Sequence, residues 1–182
     1  MKTILIIVML AAITGPVLAQ VPQAPMPLYY VPSPAARVEG MLREQPRAEG
    51  PSLQTAIKMA VAAVEACKAK GGNVSVLVTD SVGTPVVLLS GDGAGERSQL
   101  ITHTKAHIVV KYRTSSGAVA QKARTDPKLA KELSLNPNIG VARGGAFPLM
   151  NGGELIGALS VSGLTGEDEN CAQEAMAKVP LR

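Results

Sequence analysis

"NVSVLVTDSVGTPVVLLS", residues 73–90, decides the fold class. Two short β-branched runs, "NVSVLVTD" and "PVVLLS", are joined by the turn chemistry of "DSVGT", and this pattern predicts a β-hairpin. Pro85 opens the second run, where a missing N–H does least harm to a ladder. A second pair follows at residues 146–163, "AFPLM" and "ELIGALSVSG", separated by "NGG", whose glycines tolerate positive φ. Hairpins, unlike βαβ crossovers, make an antiparallel sheet. With helices between and around them, the domain reads as α+β.

The helices are marked by their ends. Ser52 is an N-cap for "LQTAIKMAVAAVEACKAK", which Gly71 and Gly72 terminate. Leu53, Ile57, Ala60, Val64 and Cys67 recur at steps of three and four and define its expected inner face. A second helix is expected from about Arg97 to Arg113, and a short one at "TDPKLAKEL", with Pro127 in its first turn. "LNPNIGVARGG" reads as loop. The last helix, "EDENCAQEAMAKV", opens with acids and ends with Lys178, as the helix dipole prefers.

Outside this domain, residues 1–51 have a different character. "MKTILIIVMLAAITGPVLA" combines Lys2, a run of about ten apolar residues and a small-residue cut after Ala19. It reads as a secretory signal peptide at 1–19, too short in its apolar run to span a bilayer. Residues 20–51 carry seven prolines and read as an extended, disordered arm, with the folded domain at 52–182. The expected destination is the periplasm or the exterior. Two cysteines, Cys67 and Cys171, then face an oxidising compartment; they either pair or serve as small buried apolar groups.

Composition excludes several functions. The net charge of +4 falls to +3 once Lys2 is removed, there is no tryptophan, and Phe147 is the only phenylalanine. A nucleic-acid surface needs a basic stripe and stacking platforms, and the sequence has neither. "GDGAGE" at 91–96 lacks the G-K-[ST] of a phosphate loop and does not make a G-x-G-x-x-G strand–helix turn. No G-x-S-x-G is present, and no acid lies close in sequence to either histidine, so no nucleophile–base pair is legible and no catalytic residue is assigned.

Chemistry concentrates in "THTKAH", residues 102–107, which holds the only histidines, His103 and His107. Four residues apart on a helix, they stack on one face. A helical projection places Ile101, Ile108 and Tyr112, flanked by Leu100 and Val109, toward the sheet, and His103, Thr104, His107 and Lys111 on a polar edge. Lys105 falls inside the apolar arc and must either snorkel or meet a carboxylate, for which Asp80 is a candidate. The histidine pair is either a solvated helix edge or a ligand set. As ligands the two imidazoles suit haem iron, or a weak two-coordinate Cu(II), Ni(II) or Zn(II) site.

Several stretches together resemble one family. "VSVLVTDSVGTPVVLLSGDGAGERS" is similar to V-x-V-V-D-x-x-G-x-L followed by a polar loop and a helix. "TKAHIVVKYRTSS" is similar to the K-A-x-T-A-x-x-F helix, and "GGAFPLMNGGELIGALSVSGLTGEDENCAQEAM" to G-G-x-P-I-x-x-x-G-x-x-I-G-A-I-G-V-S-G and D-x-x-C-A-x-x-A. These resemble the GlcG/HbpS-like haem-binding family, which includes the C-terminal domain of PduO-type proteins. The resemblance spans about Leu53 to Val179, with Asp80, Lys105, Ala106, Thr114, Gly145 and Gly157 matching. His107 and Ile108 depart from it, standing where the family has an aromatic and a threonine.

The resemblance implies a five-stranded, largely antiparallel sheet with helices on both faces, in profilin-like α/β/α layers, and a homo-oligomer. It brings the first and last helices together, so that a Cys67–Cys171 bridge is feasible. It also implies a tetrapyrrole ligand. The expected function is exported haem binding, in haem handling or redox sensing; the alternative is a non-enzymatic small-molecule-binding or assembly module of the same fold. His103 or His107 would ligate iron, Lys111 or Arg113 would hold a propionate, and Lys105 and Thr114 complete the expected set of cofactor-binding residues. An enzymatic role, if there is one, would run through bound haem iron.

Overall fold

The computed structural model describes residues 48–181. The segment read as a signal peptide and nearly all of the proline-rich arm lie outside them. The described elements are α1 (Leu53–Ala69), β1 (Ser75–Thr79), β2 (Pro85–Ser90), α2 (Glu96–Tyr112), α3 (Ser116–Ala123), α4 (Pro127–Leu135), β3 (Ala146–Asn151), β4 (Glu154–Ser162) and α5 (Asp168–Lys178).

Both hairpins form, and they join through β1 and β4. The sheet is antiparallel with strand order β2-β1-β4-β3. Four strands are present among the described residues, not the five that the family pattern implies. The chain ahead of α1 touches the end of β1 through one backbone bond, Ser81 N–H to the Glu49 carbonyl at 2.8 Å, and Pro51 then removes the next donor. The long β2–β3 connection is spent on α2, α3 and α4. Of these, α3 is not foreseen by the sequence reading, although Ser115 caps it by accepting from Ala118 N–H at 3.2 Å.

Turn chemistry fixes the hairpins. Asp80 Oδ1 accepts the N–H groups of Thr84 (2.8 Å) and Val82 (3.1 Å), while Gly83 supplies φ +92°. In the second hairpin Gly152 and Gly153 both take positive φ, as a tight two-residue turn requires. The β3–β4 ladder slips by one residue between Leu149 and Met150, so β4 carries an extra residue there. Leu155 and Ala158, three residues apart, therefore share one face, while Ile156 lies on the other.

Helices cover both faces. On one, α1 and α5 pack Ala56, Met59, Ala60, Ala63, Ala172 and Ala175 against Val76, Val78, Leu159 and Val161. Small side chains let the two helices approach closely, and Cys67 and Cys171 form a disulfide between them with Cα atoms 5.4 Å apart. The bridge ties positions 104 residues apart, worth up to about 4–5 kcal/mol in the chain-entropy account. The buried face of α1 is rotated from the expected one: Leu53 and Ile57 are exposed, while Ala56, Met59, Ala63 and Ala66 join Ala60 and Cys67 inside.

The other face is α2's, and it too differs from the helical projection. Ser98, Thr102, Lys105, Ala106 and Val109 are buried toward the sheet. Hydroxyls on the strands account for this. Ser75 Oγ pairs with Ser98 Oγ at 2.6 Å, and Ser160 Oγ donates to the Thr102 carbonyl at 2.8 Å. Ile108 instead anchors a satellite core with Val119, Leu133 and Ile139, against which Tyr112 packs. Ile108 and Tyr112 of the apolar arc read from the sequence thus face α3 and α4, while Val109 and mostly small or polar residues meet the strands.

Candidate functional site

Three sides of α2 do three different things. The first buries Lys105, only 2% exposed, which donates to the Val161 carbonyl at 2.8 Å and to Asp168 Oδ2 at 2.7 Å. Its partner is Asp168, not Asp80, whose carboxylate is committed to its own turn. Burial pushes the Lys105 ammonium below the ordinary lysine range, and Asp168 offsets part of that. Asp168 is the first residue of α5, and its other oxygen accepts the Leu164 N–H at 2.9 Å. Gly145, at φ +121°, closes over the pair; a Cβ there would lie 2.6 Å from Lys105 Nζ.

Beside this pair opens a cleft of about 960 Å³. Its floor includes Lys105 and Asp168, its apolar wall Ile101, Leu133 and Ala142, and its rim Arg97, Arg124 and Arg143. Glu169 also lines it, close enough to Gly144 that a Cβ there would meet its carboxylate carbon at 2.8 Å.

The histidines lie on another side of the helix. His103 and His107 are half-buried, one turn apart, and neither lines the cleft. Burial lowers the pKa of both from the ordinary histidine value, and for His103 the neighbouring imidazole lowers it further. The shift favours the neutral imidazole, the state in which histidine ligates a metal. His107 faces the first hairpin: a Cβ on Gly83 would sit 3.9 Å from its Nδ1 and 3.7 Å from Val110 Cγ2. Val82, 65% exposed, adds an apolar surface in the same turn. Among the described residues no cluster of three or more His, Cys, Asp or Glu could hold a metal ion.

The remaining expected residues continue toward the end of the helix. Lys111 extends the histidine stripe by one turn, where Glu132 Oε1 accepts from it at 2.7 Å and from the Tyr112 hydroxyl at 2.9 Å. Arg113 caps α2 in the left-handed conformation, φ 53°, donating its N–H to the Val109 carbonyl. Thr114 follows, exposed. The fold thus brings the two histidines together and puts Lys105 on a different side of α2. Arg97, Arg124 and Arg143 of the cleft rim were not singled out from the sequence; they lie in three separate segments, and only the fold collects them.

Comparison with known proteins settles the family. Residues 52–177 match the family described as "Haem degrading protein HbpS-like". The chain belongs to this HbpS-like family. Among solved structures, HbpS is 30% identical, with a TM-score of 0.65 over 75% of this chain and 94% of that one. A double mutant of HbpS from Streptomyces reticuli gives the same identity and TM-score over 91% of its length. The PduOC:heme complex is 27% identical, TM-score 0.65, covering 73% of this HbpS-like chain and 97% of its own. The Klebsiella pneumoniae protein ORFY, at 23% identity and TM-score 0.66, shares the fold. No curated protein matches the chain. Among the described residues no helix is long and apolar enough to cross a membrane.

Proposed function

We propose that this HbpS-like protein is exported and binds haem through the imidazole of His103 or His107. The observation that carries this reading is the half-buried histidine pair on one face of α2, with His107 beside the apolar Val82–Gly83–Val110 surface. Haem binding needs a neutral imidazole for iron, an apolar surface for the macrocycle and a cation for a propionate. Arg113 at the end of α2 suits the propionate; Lys111 would first have to exchange Glu132 for it. The residues present therefore fit the group. When bound, haem supplies its iron for ligand binding or electron transfer, and the protein sets the axial ligand and its surroundings.

Kinship supports the reading, since the family is described by haem degradation and a relative is solved as a haem complex. Export rests on the N-terminal segment, and the Cys67–Cys171 disulfide suits an oxidising compartment. A homo-oligomer and a role in redox sensing belong to the same proposal.

The test is a haemin titration of the chain from residue 20 onward, with H103A and H107A variants, followed by Soret absorbance. The expected result is saturable binding with a Soret shift that one variant loses. Saturable binding with an unchanged spectrum in both variants would remove the histidines from the proposal. No saturable binding would remove haem.

A further inference from the structure

We infer that the 960 Å³ cleft on the other side of α2 is a second binding site, built for an organic anion bearing carboxylate or phosphate groups. The inference does not rest on the haem reading, because neither histidine lines this cleft.

Charge argues for the anion. Lys105 and Asp168 neutralise each other at the floor, which leaves Arg97, Arg124 and Arg143 at the rim against the single carboxylate of Glu169. Guanidinium groups present forked donors that match planar carboxylate and phosphate oxygens, so three around one opening favour a ligand with more than one anionic group. Lys105 adds to this. Two of its three N–H bonds go to Val161 and Asp168, leaving one donor over at the floor of the cleft it lines.

Size and polarity argue for an organic ligand. The volume lies in the range of pockets that take cofactor-sized molecules, far larger than an inorganic ion needs. Ile101, Leu133 and Ala142 give it an apolar wall to receive a hydrocarbon or ring body. The three arginines come from α2, from the end of α3 and from the loop before β3, so the ligand would bridge three segments of the chain.

The test is calorimetric titration of the purified protein with pyrophosphate and, separately, with citrate, at one fixed ionic strength so that screening is constant. Saturable binding of at least one probe is expected. Citrate alone would assign a carboxylate ligand, pyrophosphate alone a phosphate, and both a site that reads multiple anionic oxygens. R124Q/R143Q should weaken binding about tenfold or more. K58Q/K68Q, which removes the same charge from exposed positions on α1, should change it less than about twofold. E169Q should tighten it by relieving like-charge repulsion. Haemin titration of R124Q/R143Q should match wild type. Failure of both probes to saturate, or equal weakening in the two double variants, would overturn the site. Parallel loss of haemin in R124Q/R143Q would also overturn it as a second site, by making the cleft the haem site itself.

Discussion

Replacing Lys105 by methionine isolates the contribution of the buried ion pair. Methionine keeps most of the stem's volume and removes the ammonium, so the core stays filled while two acceptors, Asp168 Oδ2 and the Val161 carbonyl, lose their donor. The lysine side chain is 2% exposed and that of Asp168 12%, so water cannot readily replace it. Breaking a buried pair from one side costs about 3–5 kcal/mol, and counting two unsatisfied acceptors, one of them charged, gives a similar figure. With a urea m-value of about 2 kcal/mol/M, the midpoint should fall by about 2 M. The chain lacks tryptophan, so the transition is best followed by far-ultraviolet circular dichroism. D168N should also destabilise, and K105M/D168N should cost less than the two single changes together, by about 1–3 kcal/mol, because the double variant leaves no charge stranded. A loss below about 1 kcal/mol in K105M, or strict additivity in the double variant, would refute the view that the pair is a coupled, desolvated unit.

Two further outcomes follow from the same geometry. G145A places a methyl group against Lys105 Nζ and the Val161 carbonyl at a backbone φ of +121°, and should destabilise by at least about 2 kcal/mol in the same denaturation assay; a wild-type midpoint would show that the loop yields freely. Unfolded histidine titrates near pH 6.5 and the folded pair lower, so as pH falls through 6.5 the unfolded chain takes up protons first and the native state loses stability. Wild-type protein should therefore lose more of its urea midpoint between pH 7.5 and 5.5 than H103Q/H107Q does, and parallel losses would contradict the burial of the imidazoles.

The hairpins, their turns and the capped helices were legible because each is set by local chemistry: Ser52 caps α1, Asp80 closes the first turn, Gly152 and Gly153 the second. The orientation of α2 was not legible. Helical projection assumes that the sheet presents apolar groups, whereas here it offers Ser75 and Ser160, and the helix answers with Ser98 and Thr102. Lys105 was singled out as anomalous, but its partner lies 63 residues away, where spacing gives no guidance. The histidine pair was visible as an i,i+4 stripe, and its half-burial became visible only in the fold. α3 escaped because Gly117 in its first turn weakens the helical signal of a short segment. Of the positions that match the family pattern, Asp80 and Lys105 hold a turn and an ion pair, and Gly145 and Gly157 allow close backbone approaches, so this part of the motif describes architecture as much as chemistry.

The placement of the prolines has a consequence for how this sheet meets other chains. The strand order leaves β2 and β3 outermost, each with one row of backbone groups unpaired within the sheet. An open row of that kind is a template for a foreign strand and a route to aggregation. Both outer strands carry a proline, Pro85 at the start of β2 and Pro148 within β3, and each ladder is broken in register near its proline, at Val78/Thr79 and at Leu149/Met150. Proline offers no N–H to an incoming strand, and the irregularities twist the edge out of a flat, continuous template. The inner strands β1 and β4 are buried along nearly their whole length; the fold keeps them in the middle and gives its margins to strands that are poor at recruiting another.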